Sequence, residues 1–120
     1  MDNERRTSNG RHVPASDQYS LVLGRAVAAH LVTAGERVRA IARRNLTRAG
    51  AQHDRKPSWL GRWQELLDGP EHALREVLTS PDEHARVLRQ SSPFAGVLTP
   101  QERWLLLREL KDARRAARSA

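Results

Sequence analysis

SPDEHARVLRQSSPFAGVLTPQER, residues 80–103, decides the fold class. It holds the same helix-start signal twice. Ser80-Pro-Asp-Glu83 and Thr99-Pro-Gln-Glu102 each place a hydroxyl residue three positions before a glutamate, with proline at the first helical position. The hydroxyl oxygen can accept from a free amide of the first turn, while the glutamate reaches back to the amide of the capping residue. Proline costs nothing there, because its missing N–H would have had no partner. Helix starts at 81 and 100 follow. Ser91-Ser-Pro93 closes the first of these helices, and Phe94, Val97 and Leu98 supply apolar plugs from an irregular segment.

Working backwards, Trp59, Leu60, Trp63, Leu66 and Leu67 recur at amphipathic spacing behind a capping Ser58, up to the stop Asp68-Gly-Pro70. Ala73, Leu74, Val77 and Leu78 give the next short helix, and Ala85 and Leu88 the one after it. Working forwards, the last helix runs to about residue 117, with Leu106, Leu107, Leu110, Ala113 and Ala117 on its apolar face. No segment has the period-two pattern of a strand. The expected fold is therefore all-α, a small helical bundle of short capped helices over 58–120 with a basic C-terminal helix.

In front of the bundle, Ser16 or Asp17 can cap a helix to about residue 33, with Leu23, Val27, Leu31 and Ala34 on one face, widened by Val22, Ala26 and Ala29. Thr33-Ala-Gly-Glu36 is a third capping box and starts a helix to about Arg48, with Val38, Ile41, Ala42 and Leu46 inward. Residues 16–49 thus read as a helical hairpin that either packs on the bundle or extends into an interface. Residues 50–57 read as a loop, and 1–15, polar with Gly10 and Pro14, as a disordered basic arm. One domain overall is expected at this length.

Composition narrows the function classes. The chain has no cysteine, which removes disulfides, thiolate metal sites and cysteine nucleophiles. Its longest apolar run, around 21–32, is broken by Gly24, Arg25 and His30 and is too short to span a bilayer. No signal-peptide layout precedes it, so a cytoplasmic location is expected by elimination. The net charge of +7 is unevenly spread: +6 over 1–56, −2 over 57–98 and +3 over 99–120. Basic ends around a mildly acidic middle suit a polyanion or an acidic protein surface. All but two of the cations are arginine, which favours bidentate phosphate or carboxylate contacts, although a GC-rich coding sequence enriches arginine equally well.

Two sets of residues can carry binding. On the second helix Arg37, Arg44 and Arg48 fall in one narrow stripe at about 100° per residue, with Arg39 and Arg43 flanking the other side. Such a stripe can grip nucleic-acid phosphates, or it can be a solvated face. On the last helix Trp104 aligns with Arg108, Lys111 and Arg115. It either anchors a partner or folds back onto Phe94 or the neighbouring loop, and the second is the expectation. The helices at 71–79 and 81–90 resemble a helix-turn-helix in outline, with Arg86, Arg89, Gln90 and Ser91 towards a groove. Glu71, Glu76, Asp82 and Glu83 argue against it. The five histidines make no metal-ligand spacing, and no glycine-rich phosphate loop or nucleophile elbow occurs. No catalytic residue, metal or cofactor is expected.

The stretch from Trp59 to Arg103 also resembles a helical module of small actinobacterial proteins, in which W-L-x-x-W-x-x-L-L-D-G-P leads into L-R-Q-x-S-P-F-A-G-V-L-T-x-x-E-R. LGRAVAAHL at 23–31 and ARRNLTR at 42–48 extend the likeness. Similar modules occur alone or behind a repressor-type helix-turn-helix, in genes of toxin–antitoxin or regulatory character. This chain has no clear repressor domain in front. The resemblance implies an accessory, antitoxin-like or transcription-regulating role, with Arg89, Gln90, Ser91, Pro93 and Phe94 as a shaped segment for a partner. The reading is of a non-catalytic interaction protein that occludes a partner protein, such as a toxin, or pairs with a second copy. The alternative is a nucleic-acid-binding protein acting through the arm and the arginine stripe.

Overall fold

The computed structural model describes residues 15–119, and the expected basic arm lies outside them except for Ala15, which opens the first helix. Among the described residues there are five helices and no strand: α1 Ala15–Ala51, α2 Ser58–Asp68, α3 Glu71–Thr79, α4 Glu83–Arg89 and α5 Pro100–Ser119. None is long and apolar enough to cross a membrane.

The two helices of the expected hairpin follow each other without a loop. Only Ala34, at φ −142° and ψ 48°, leaves helical geometry, so the two halves of α1 meet at a kink with no loop between them. The break falls where the Thr33–Glu36 box placed it. The reciprocal capping bonds themselves do not form, because a one-residue kink creates no run of free amides for them to satisfy.

The Thr99 box forms in full: Thr99 Oγ1 accepts from the Glu102 amide at 3.0 Å, and Glu102 Oε1 accepts from the Thr99 amide at 3.2 Å. The Ser80 box does not, and α4 starts two residues later than expected. Asp82 is the cap, accepting from the Ala85 amide at 2.8 Å, and Ser80 Oγ accepts from the Asp82 amide instead. A carboxylate is both a good cap and a charge that suits a helix N-terminus, so it displaces the hydroxyl. The cap bond to Ala85, and then Ser80, hold the Asp82 carboxyl below its ordinary value.

One core unites the chain. Val27, Ala28 and Leu31 from the first half of α1 and Val38, Ala42 and Leu46 from the second are all buried in it. Trp63, Leu67, Leu74 and Leu78 are among its most enclosed side chains. Tryptophan and leucine at these positions remove large apolar areas from water, at about 25 cal/mol per Å². α1 therefore packs on the bundle as part of it. Its first half is covered by α3, α4 and α5: Gly24 lies against Leu78, Ser20 bonds to Arg89, and His30 meets Glu102.

The last helix departs most from expectation. No residue of α5 is fully buried: Leu106, Leu107 and Leu110 are half-buried, and Ala113 and Ala117 are exposed. It lies antiparallel along the first half of α1, with Glu102 opposite His30 and Arg114 opposite Gln18. With α1 on one side only, its apolar stripe is covered along one edge.

Candidate partner-binding surface

The five arginines proposed from the second half of α1 divide by geometry. Arg39 and Arg43 turn inward and donate to the carbonyl of Leu67, Arg43 at 2.9 Å, and Arg43 also reaches Asp68 Oδ1 at 3.0 Å. They satisfy the open carbonyl end of α2, where a cation is also favoured by the helix dipole. These two are structural clamps. Arg37, Arg44 and Arg48 are exposed and make no hydrogen bond among the described residues. Charge alone links Arg37 to Glu102.

The segment that the resemblance offers to a partner is largely internal. Arg89 is only 7% exposed. Its Nη1 donates to the carbonyls of Val77 at 2.8 Å and Ser80 at 2.6 Å, and its Nε donates to Ser20 Oγ at 2.9 Å. One guanidinium thereby ties the end of α3 and the turn before α4 to the start of α1. Burial pulls its pKa down, opposed by the nearby charges of Asp17 and Asp82. Phe94 is buried and meets the Trp63 ring edge-on, with centroids 5.4 Å apart at 82°. Trp63 Nε1 in turn donates to Ser91 Oγ. Arg89 and Phe94 are thus corrected from partner contacts to core residues, and Gln90 alone of the three is exposed.

Asn45, which sequence reasoning passed over, holds this segment from α1. Its Nδ2 donates to the carbonyls of Pro93 at 2.7 Å and Ala95 at 2.9 Å. Only its position, bordering the apolar face of α1 on the flank away from Arg39 and Arg43, could have hinted at it. The helix-turn-helix outline also fails: α4 has seven residues, Arg89 is internal, and Arg86 lies 3.8 Å from both Asp17 and Glu83. A reading face is left without its arginines.

What remains is the outer side of α5. Trp104 is 55% exposed and Leu105 47%. The expectation that Trp104 folds back onto Phe94 or the neighbouring loop does not hold, since the indole is more than half exposed and Trp63 meets Phe94 instead. Instead, the Arg108 guanidinium lies 5.2 Å from the centre of the Trp104 ring, a cation–π contact one helical turn along. Lys111 and Arg115 are exposed further along the same stripe. At the near end His30 Nε2 and Glu102 Oε2 are 2.8 Å apart, fastening α5 to α1. The bond from His30, then that from the Thr99 amide, hold the Glu102 carboxyl below its ordinary value of 4.5. The surface is a fixed helix face with one large exposed indole and a row of cations. No family model, curated protein or solved structure matches the chain.

Proposed function

We propose that this chain is a non-catalytic interaction protein of antitoxin or regulator type, which binds a partner protein through the outer face of α5 and occludes it. The observation that carries the reading is Trp104, more than half exposed on a helix with no fully buried residue. Tryptophan and arginine are the residue types most enriched among energetic anchors of interfaces. The Arg108 contact favours one placement of the indole before binding, so less side-chain freedom is lost on association. The partner would present an acidic surface with a pocket for the indole, because residues 99–120 carry net charge +3.

A second reading rests on Arg37, Arg44 and Arg48, three exposed cations on one stripe with no hydrogen-bonded acceptor among the described residues. They can contact nucleic-acid phosphates, alone or together with protein binding.

One preparation separates the two. The full chain, purified gently from its host, is expected to bring a stoichiometric protein whose affinity falls by about thirtyfold or more with Trp104→Ala, as for an interface anchor. The thermal midpoint of the variant should be unchanged, since the indole is not in the core. Undiminished binding by Trp104→Ala rejects the α5 face. Nucleic acid that is released by salt, and lost when Arg37, Arg44 and Arg48 are changed together to Glu, supports the second reading instead.

A further inference from the structure

A cleft of about 280 Å³ lies between the start of α1, the end of α3 and the segment 92–98. Its walls are apolar: Leu23, Val27, Leu78, Phe94 and Leu98. Buried Arg89 and exposed Arg103 line it as well, with half-buried Tyr19. The bonds of Arg89 described above use its Nε and Nη1. Nη2 has no acceptor among the described residues. No fully enclosed side-chain nitrogen or oxygen lacks a partner there, so Nη2 is open to accessible space.

A guanidinium that is already oriented by three bonds and has Nη2 left over can donate to one oxygen of a carboxylate, and Arg103 supplies a second positive charge at the mouth. Apolar walls beside it suit a hydrocarbon tail, whose burial from water is favourable. The volume lies just below the usual range for ligand sites, about 300–1,000 Å³, which limits the tail to a short one. We infer that this cleft binds a small amphiphilic carboxylate, its head on Arg89 and Arg103 and its short apolar tail between Leu23, Val27 and Phe94. This site takes Arg103 from the first turn of α5 but not Trp104 or the cations beyond it, so it can fail without the partner-binding reading failing.

The probe is octanoate, titrated into the full chain and followed by calorimetry and by the amide signals of Gly24 and Gly96, which line the cleft. Acetate supplies the head without the tail, and octanol the tail without the charge. Saturable binding of octanoate, at least about tenfold tighter than either control, is expected. Arg89→Lys tests the head contact directly but removes bonds that hold the fold, so two rim variants carry the test. Arg103→Gln should weaken octanoate about fivefold, and Ala95→Trp, at an exposed lining position, should abolish binding by closing the mouth. No saturable binding at about 10 mM octanoate overturns the proposal, as do octanol binding equally well or both rim variants binding like the parent. A leucine-terminated peptide that binds where octanoate does not would assign the cleft to a chain terminus and also overturn it.

Discussion

Gly24 and Arg89 meet where three elements converge, and each is there for a different physical reason. A Cβ built on Gly24 would lie 2.1 Å from the carbonyl oxygen of Leu78 and 3.3 Å from the Arg89 side chain. The close approach of α1 to the end of α3 therefore needs a residue without a side chain, and the backbone carbonyl cannot move aside cheaply. Gly61 is the contrast: in α2 it faces open space, and a Cβ there would have nothing within 4 Å. Gly24→Ala should destabilise the fold by about 3 kcal/mol, as overpacking against backbone does. Gly61→Ala should stabilise it by about 0.5–1 kcal/mol through the lower entropy of the unfolded chain. Urea denaturation of both variants checks the pair; equal effects of the same sign would mean that α1 and α3 are not packed this closely. Arg89 is the polar half of the same junction. Removing it would leave the Val77 and Ser80 carbonyls without their donor, a loss of about 1–3 kcal/mol for each group that stays buried.

At the scale of elements, the attachment of α5 is the feature most open to perturbation. Glu102 closes the capping box with Thr99 and also meets His30 on α1, so one carboxylate both starts the helix and fastens it. Its carboxyl is held below 4.5 in the folded chain, the His30 bond contributing most. Folding therefore favours the ionised form, and the stabilisation is complete above the unfolded value of 4.5. It is lost as pH falls through the lower folded value. The thermal midpoint should fall on acidification below 4.5, and Glu102→Gln should flatten that part of the profile. The side chain is 39% exposed, so salt should weaken the effect as well. An acid limb unchanged in Glu102→Gln would place the responsible carboxylate elsewhere. Beside this, the kink at Ala34 is a device of shape: it lets both halves of α1 lie against one core.

For the molecule as a whole, the core and the binding face are nearly independent. The buried side chains come from α1 to α4 and the segment 94–98, and none comes from α5. From Ala113 to Ser119 every residue is exposed except Arg114, which is half-buried and donates to Gln18 Oε1 at 3.1 Å. Deleting residues 113–120 should cost less than about 1 kcal/mol of stability, the usual size for exposed positions. The same deletion removes Arg115 from the cationic row and should weaken partner binding. A large loss of stability would show that the end of α5 supports the core, and would blunt its use as a docking face.

The helical character of the chain was legible from local signals, because caps and periodic apolar positions act within one or two turns. The Thr99 box, the stop at Gly69 and the inward Val38, Ala42 and Leu46 all stand where the pattern put them. Function was less legible, because it depends on which charged side chains the packing consumes. Arg39 and Arg43 look like Arg44 and Arg48 along the chain, but the free carbonyls at the end of α2 claim the first two. Arg89 resembles a surface arginine until α1 closes over it. Trp104 resembles a core tryptophan until Trp63 takes Phe94. Local sequence determined where helices begin and which faces are apolar, since those choices are made by near neighbours. Tertiary structure alone decided which cations and which indole remain free, since the groups that pair them come from distant parts of the chain.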